Sequence, residues 1–185
     1  LLIVSVISGA IGGSLLQITR YHSNLYLQKS SKKILIILPL IAGSLIILLA
    51  HFGSVKVLGP GGYLLGNIFY SHDTNVVPDF FGKYLNTILS LVAGCAGGMI
   101  VPSLSLGALL GSLISEIFDV SSAFMIILCT TSFLSSVIKA PVTAAALIIM
   151  FIKPDINIAI YIILTSCLSC YLSFFIKKIL GYKAI

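Results

Sequence analysis

YLNTILSLVAGCAGGMIVPSLSLGALLGSLIS, residues 84–115, contains no Asp, Glu, Lys or Arg. About 20 apolar residues in helical conformation cross a hydrocarbon core roughly 30 Å thick. The stretch is therefore too long for one straight crossing. It is interrupted by Gly94-Cys95-Ala96-Gly97-Gly98 and then by Pro102, which divides it into a helix over about 81–93 and a second that begins at 98–102 and runs to about 118. Proline suits the first turn of a helix, where its missing N–H is not needed. Glycines allow a tight backbone path that leaves successive N–H groups unpaired, and the helix that follows starts with its positive dipole end inside the membrane. Orphan N–H groups at that depth are costly unless something negative accepts from them, and a dehydrated anion is the natural acceptor. On local composition alone a glycine-packed kink between two structural helices stays equally open.

The rest of the chain has the same solvent. Residues 1–19, 34–50, 120–138 and 156–176 also lack charged side chains, and the whole sequence is 58% hydrophobic and only 9% charged. Its mean hydropathy is +1.16. Soluble domains carry roughly 25% charged residues to cover themselves in water, so this chain is an all-α integral membrane protein, multi-pass, with lipid as its solvent. The net charge of +6 is no sign of nucleic-acid binding, because no basic stripe is interleaved with stacking aromatics. Instead Arg20, Lys29, Lys32 and Lys33 form one basic cluster, and Lys177, Lys178 and Lys183 a second. Both mark helix ends, and by the positive-inside rule both face the cytoplasm.

Outward from the central stretch, the pattern predicts a first helix over 1–26 with Gly9, Gly12 and Gly13 on a close-packing face. A second follows over 34–52, with Pro39 near its start. Residues 53–79 break the pattern: Gly59-Pro60-Gly61-Gly62 precede an apolar run, 63–70, too short to span and hence interfacial or a re-entrant half-helix. Beyond the central stretch come helices over 121–136, capped by Ser121 or Ser122, a short one over 142–152 ending at Lys153-Pro154, and a full span over 156–175. Uneven helices with Gly and Pro breaks at membrane depth are a transporter pattern.

Side chains able to do covalent or metal chemistry are scarce. Glu116 and Asp119 close one helix, and Asp73, Asp79 and Asp155 flank helices or loops, all read as interfacial groups. His22, His51 and His72 are scattered and complete no metal or nucleophile pattern. Cys95, Cys129, Cys167 and Cys170 lie in apolar segments; Cys167 and Cys170 form a C-x-x-C without a second pair, which favours small packing residues over a zinc site or disulfide framework. We expect no catalytic residues, no metal and no cofactor.

A family resemblance sharpens the reading. Gly97-Gly98-Met99-Ile100-Val101-Pro102-Ser103-Leu104, continued by Ser105-Leu106-Gly107-Ala108-Leu109-Leu110-Gly111, resembles the G-G-x-F-x-P signature of the CLC chloride channel and chloride–proton antiporter family. Ile138-Lys139-Ala140-Pro141-Val142-Thr143 is similar to that family's R-A-P-L-T segment. Gly181-Tyr182-Lys183-Ala184-Ile185 resembles the segment with its inner-gate tyrosine, and Gly59-Pro60-Gly61-Gly62 suits its Gly-rich turn. The resemblance spans essentially the whole chain, residues 1–185, as a single membrane domain, and corresponds to the second of the family's two inverted repeats. It implies a CLC-type half with tilted and discontinuous re-entrant helices.

The resemblance also implies roles. The N–H groups of Met99 and Ile100 would hold a chloride at mid-membrane, with Gly98, Val101 and Pro102 shaping the turn and the Tyr182 hydroxyl donating from the cytoplasmic side; taken alone, Tyr182 reads equally as an interfacial anchor. Ile100 stands where the family usually has Phe, Lys139 where Arg is commoner, and Met150 where many relatives have Glu. Implied partners are chloride, protons in the antiporter case, the lipid bilayer, a second copy of the chain as homodimer, and the first-repeat half. The family's gating and proton-transfer glutamates belong to that first repeat, so channel and antiporter stay open. Leu1 opens the chain as though inside a helix, which suggests a piece of a longer polypeptide, and the expected location is a bacterial plasma membrane. Two rivals remain: another secondary transporter using the glycine break for a carboxylate or cation, and a structural membrane fragment that no longer transports.

Overall fold

The computed structural model describes residues 2–29, 32–52, 58–59, 61–70, 76–94 and 98–179. Among them are eight helices: α1 (Leu2–Lys29), α2 (Lys32–Phe52), α3 (Gly62–Tyr70), α4 (Val76–Val92), α5 (Ile100–Phe118), α6 (Ser122–Ile138), α7 (Pro141–Ile152) and α8 (Ile156–Ile179). By length and hydropathy, Leu2–Ser23, Ile100–Phe118 and Ile156–Ile176 can each cross a membrane, while α3 and α7 are short. The chain is an all-α membrane protein, and its large apolar side chains are exposed along α1, α2, α7 and α8, where lipid is the solvent.

The hub is α6. Every residue from Met125 to Val137 is buried, and a helix apolar and buried on all sides lies at the centre of a bundle. Around it pack α1, α5, α7 and α8. Apolar burial contributes little between helices in lipid, so close approach and polar contacts hold such interfaces together. On one side Gly107 and Gly111, one turn apart on α5, lie against the α6 backbone at Thr130 and Ile126. On another, Gly12 packs on the Phe133 ring, and Ser132 and Ser136 donate to the carbonyls of Val6 and Gly9 at 3.3 and 2.9 Å. On a third, Ser135 Oγ donates to Ser166 O at 2.6 Å and Ser169 Oγ to Ser132 O at 3.1 Å. These pairings make α1 parallel and α5 antiparallel to α6, and the contacts of Phe124 with Tyr161 and Lys139 with Phe174 make α8 parallel to it.

This topology sorts the charges. Gln17 Nε2 donates to Ser136 O at 2.9 Å and also to Val137 O, and Lys139 sits 5.5 Å from the centre of the Phe174 ring. Arg20, Lys139 and Lys178 thus come to one end of the bundle, while Glu116, Asp119, Lys153 and Asp155 lie at the other. Short C-terminal turns at Asp119, Lys139 and Lys153 take left-handed backbone (φ 50, 60 and 49°), each closing its helix with an N–H on the last turn.

Several expectations need adjustment. Helix α4 begins at Val76 rather than near 81. Pro78 falls in its first turn, where no N–H is required, so it opens the helix and does not precede it. Asp79, expected at an interface, is 2% exposed, because the earlier start puts it on the inward face. The apolar run at 63–70 is a true helix whose Leu64 and Ile68 bury against Ala108, Leu109 and Ile126. The last helix extends past 175 to Ile179. Ser121 occupies the N-cap of α6 but makes no side-chain cap bond. Of the C-x-x-C pair, Cys170 is buried and Cys167 is exposed, since three residues turn a helix by only most of a full revolution.

Candidate anion-binding site

Helix α4 ends at Val92, and the turn after it closes at Gly94, whose φ of 74° is left-handed, and whose N–H donates to Leu91 O at 3.1 Å. This is the position in the break that requires glycine for its conformation. Residues 95–97, including Gly97 of the signature, lie outside the described residues, as do Tyr182 and the whole of 180–185. Gly98 has no such backbone need. A Cβ built on it meets no atom within 4 Å, so its glycine keeps space open and does not bend the chain.

The first turn of α5 has amides without partners inside the helix. Met99 is the N-cap (φ −82°, ψ −11°) and offers no side-chain cap. Ser103 N–H donates to Met99 O at 3.1 Å, and the Ser103 hydroxyl turns to the same carbonyl. That bond starts the helix ladder, so the N–H groups of Ile100 and Val101 have no partner within the helix. Pro102, next in line, has no N–H to satisfy. Met99 packs near Leu16, Leu91 and Val137, and Ser23 Oγ donates to Leu91 O. The α5 start is therefore level with the C-terminal part of the apolar stretch of α1, Leu2–Ser23, and its dipole points its positive end there.

Beside it opens a cavity of about 220 Å³. Gly98, Met99 and Pro102 form one wall, α4 a second through Lys83, Asn86, Thr87 and Ser90, and Ile46, Leu58 and Gly59 the remainder. Of the residues expected to hold an ion, the structure brings Gly98, Met99 and Pro102 together here. Val101 instead lines a separate apolar crevice of about 550 Å³ with Leu65, Leu104, Ile148 and Phe151. The Ile100 side chain is exposed. Lys139, Pro141 and Met150 do not reach the cavity; Lys139 closes α6 and Pro141 opens α7.

Sequence reasoning missed the α4 wall. Lys83 is 2% exposed, Asn86 7% and Thr87 8%, an inward polar face with Asp79 one turn earlier. Lys83 Nζ donates to Gly59 O, and Thr87 Oγ1 and Ser90 Oγ donate to Lys83 O and Asn86 O, each at 2.8 Å. The signal was present as polar residues at i, i+3, i+4 and i+7 from Lys83. It was obscured because the uncharged stretch begins at the next residue, Tyr84. Among the described residues no three His, Cys, Asp or Glu side chains come together.

A bundle of spanning and shorter helices, with one helix starting beside a cavity that has a polar wall, is an arrangement that ion-moving membrane proteins use. The Voltage gated chloride channel family model matches residues 1–173. The chain belongs to that family, and chloride transport is its general class of activity. No curated protein matches the chain.

Proposed function

We propose that the α5 start is the chloride-holding element of this protein, with the N–H groups of Met99 and Ile100 donating to the ion and Gly98 and Pro102 leaving it room. The observation that carries this reading is the opening of the first turn of α5 onto a cavity with a polar wall. Fixed backbone dipoles there can replace part of a hydration shell without placing a full charge in the ion's path. Tyr182 completes the site from the basic end of the bundle, which faces the cytoplasm under the positive-inside rule. The protein works as a homodimer in a bacterial plasma membrane, each copy joined to its first-repeat half.

The test is chloride efflux from liposomes holding the full-length protein, with external pH recorded at the same time. Chloride movement with proportionate proton movement supports an antiporter, and chloride alone a channel. If the protein carries a carboxylate or cation and leaves chloride untouched, the reading of the α5 start as a chloride site is wrong.

A further inference from the structure

The family reading uses the α5 wall of the cavity and leaves the edge formed by Leu58 and Gly59 without a task. Gly61 is buried, whereas Leu58 and Gly59 are exposed, so the turn that carries them is rooted in the bundle and has its tip at the cavity, which Leu58 and Gly59 line. The root sits in a groove between two helices. A Cβ on Gly61 would press on Ser105 Oγ, with Ser105 Cβ at 2.7 Å on the α5 side and Lys83 Cε at 3.2 Å on the α4 side. Gly61 also takes a φ of 104°, so space and conformation both reserve the position for glycine. Hydrogen bonds fix the parts to one another. Lys83 Nζ donates to Gly59 O, Ser105 Oγ to Pro102 O at 3.0 Å, and Leu65 N–H to Gly61 O at 3.1 Å, which ties the turn to α3. At 1.5 Å per residue, Ser105 lies about 9 Å along α5 from Met99, and Lys83 about 12 Å back along α4 from Leu91. The turn therefore closes the side of the cavity away from the break.

We propose that the turn carrying Leu58, Gly59 and Gly61 is the size-selecting rim of the anion cavity, and that Lys83 is the positioning residue that latches it. The inference rests on the reading of the α5 start as the chloride site. A helix start accepts anions of many sizes, so the α5 amides attract an ion without measuring it. Discrimination between chloride and a larger halide then needs a wall that keeps its distance from Gly98, Met99 and Pro102. A turn with glycines at φ 78 and 104° has little stiffness of its own, and the bond from Lys83 supplies it. The same bond covers the Gly59 carbonyl oxygen, which would otherwise lose its donor at the edge of an anion's path. Lys83 is 2% exposed, and an ionisable side chain buried in a membrane bundle carries a desolvation cost that an apolar packing residue avoids. Holding the rim gives that cost a function: Lys83 acts through the turn and not on the ion.

The experiment measures chloride and iodide flux in liposomes holding the full-length protein, for wild type and for variants of the turn and its latch. A hydrogen bond from a charged donor biases a local equilibrium about tenfold or more. Lys83→Met keeps the stem and removes the donor, so it should raise the iodide-to-chloride flux ratio severalfold, up to about tenfold by that measure. Half-saturation by chloride, set by the α5 amides, should stay near wild type. Lys83→Arg keeps a cationic donor and should keep the wild-type ratio. Gly61→Ala displaces the root of the turn and should raise the ratio as Lys83→Met does. Ser169→Ala, which loosens the α6–α8 contact away from the cavity, should leave it unchanged. An unchanged ratio in Lys83→Met and Gly61→Ala, or an equal rise in Ser169→Ala, overturns the rim while leaving the α5 site standing. A wild type that moves no chloride refutes the proposed function, and this inference with it. Should Lys83→Met and Gly61→Ala fail to assemble, Leu58→Ala decides: the position is exposed and its side chain lines the cavity, so trimming it should raise the ratio, and no change overturns the proposal.

Discussion

Substituting Gly107 and Gly111 by alanine tests whether the site is placed by helix proximity. A Cβ on Gly107 falls 2.6 Å from Thr130 Cα and 3.1 Å from Cys129 O, and one on Gly111 falls 2.5 Å from Ile126 Cα and 2.9 Å from Ile126 N. Carbon atoms sit comfortably at about 3.5–4.0 Å, so each alanine is short of room by about 1 Å. The obstructing atoms are backbone, and no rotamer change relieves them; α5 and α6 must move apart. Overpacking of this kind costs about 1–3 kcal/mol, against about 0.8–1 kcal/mol gained by replacing a helical glycine with alanine. The double variant should lose roughly 2 kcal/mol, less than additive because one separation relieves both clashes. The assay is reversible unfolding in mixed micelles followed by helical circular dichroism, with Gly43→Ala as the control. Gly43 is also within a helix, but its Cβ meets nothing within 4 Å, so that variant should hold or gain stability. Chloride affinity should fall with the double variant as well, since a shift near 1 Å moves the α5 amides off the ion. A Gly107→Ala, Gly111→Ala protein as stable as Gly43→Ala would refute the argument that glycine contact sets the α5–α6 distance.

Three other outcomes are expected. Gly98→Val should assemble normally, because its Cβ has open space, yet reduce chloride flux by narrowing the cavity; undiminished flux would remove Gly98 from the path. Ser169→Ala should lose its bond to Ser132 O at 3.1 Å and destabilise by about 0.6 kcal/mol, the mean for interhelical polar contacts in membranes, measurable in the same micelle titration. Tyr182→Phe removes one hydroxyl donor and should weaken chloride binding by about tenfold or more by isothermal titration, as loss of a hydrogen bond to a charged group does, and unchanged affinity would reduce Tyr182 to an interfacial anchor.

The contrast between α5 and α4 explains how far the sequence could be read. For α5, the glycine break and Pro102 act through local backbone geometry, and the expected start at 98–102 agrees with the observed Ile100. For α4, the expected start near 81 left Asp79 outside the helix, whereas the observed helix begins at Val76. Lys83, Asn86, Thr87 and Ser90 lay within the expected helix, but the uncharged stretch that begins at Tyr84 drew attention from their shared face. Gly98 is a subtler case: its presence in the break was legible, but the conformational role belongs to Gly94 and the role of Gly98 is vacancy.

Taken by itself, the sequence determined that lipid is the solvent, where the long helices run, and where α5 starts. These follow from summed hydropathy and from backbone rules for Gly and Pro, which need no knowledge of neighbours. Only the tertiary structure decided which helix is central, which face of α4 turns inward, and which residues share the cavity. In lipid the outward and inward faces of a helix are both apolar, so periodicity does not tell them apart as it does in water. Facing is set instead by where small residues let backbones meet, as at Gly107 on Thr130, and by where serines find carbonyls across an interface.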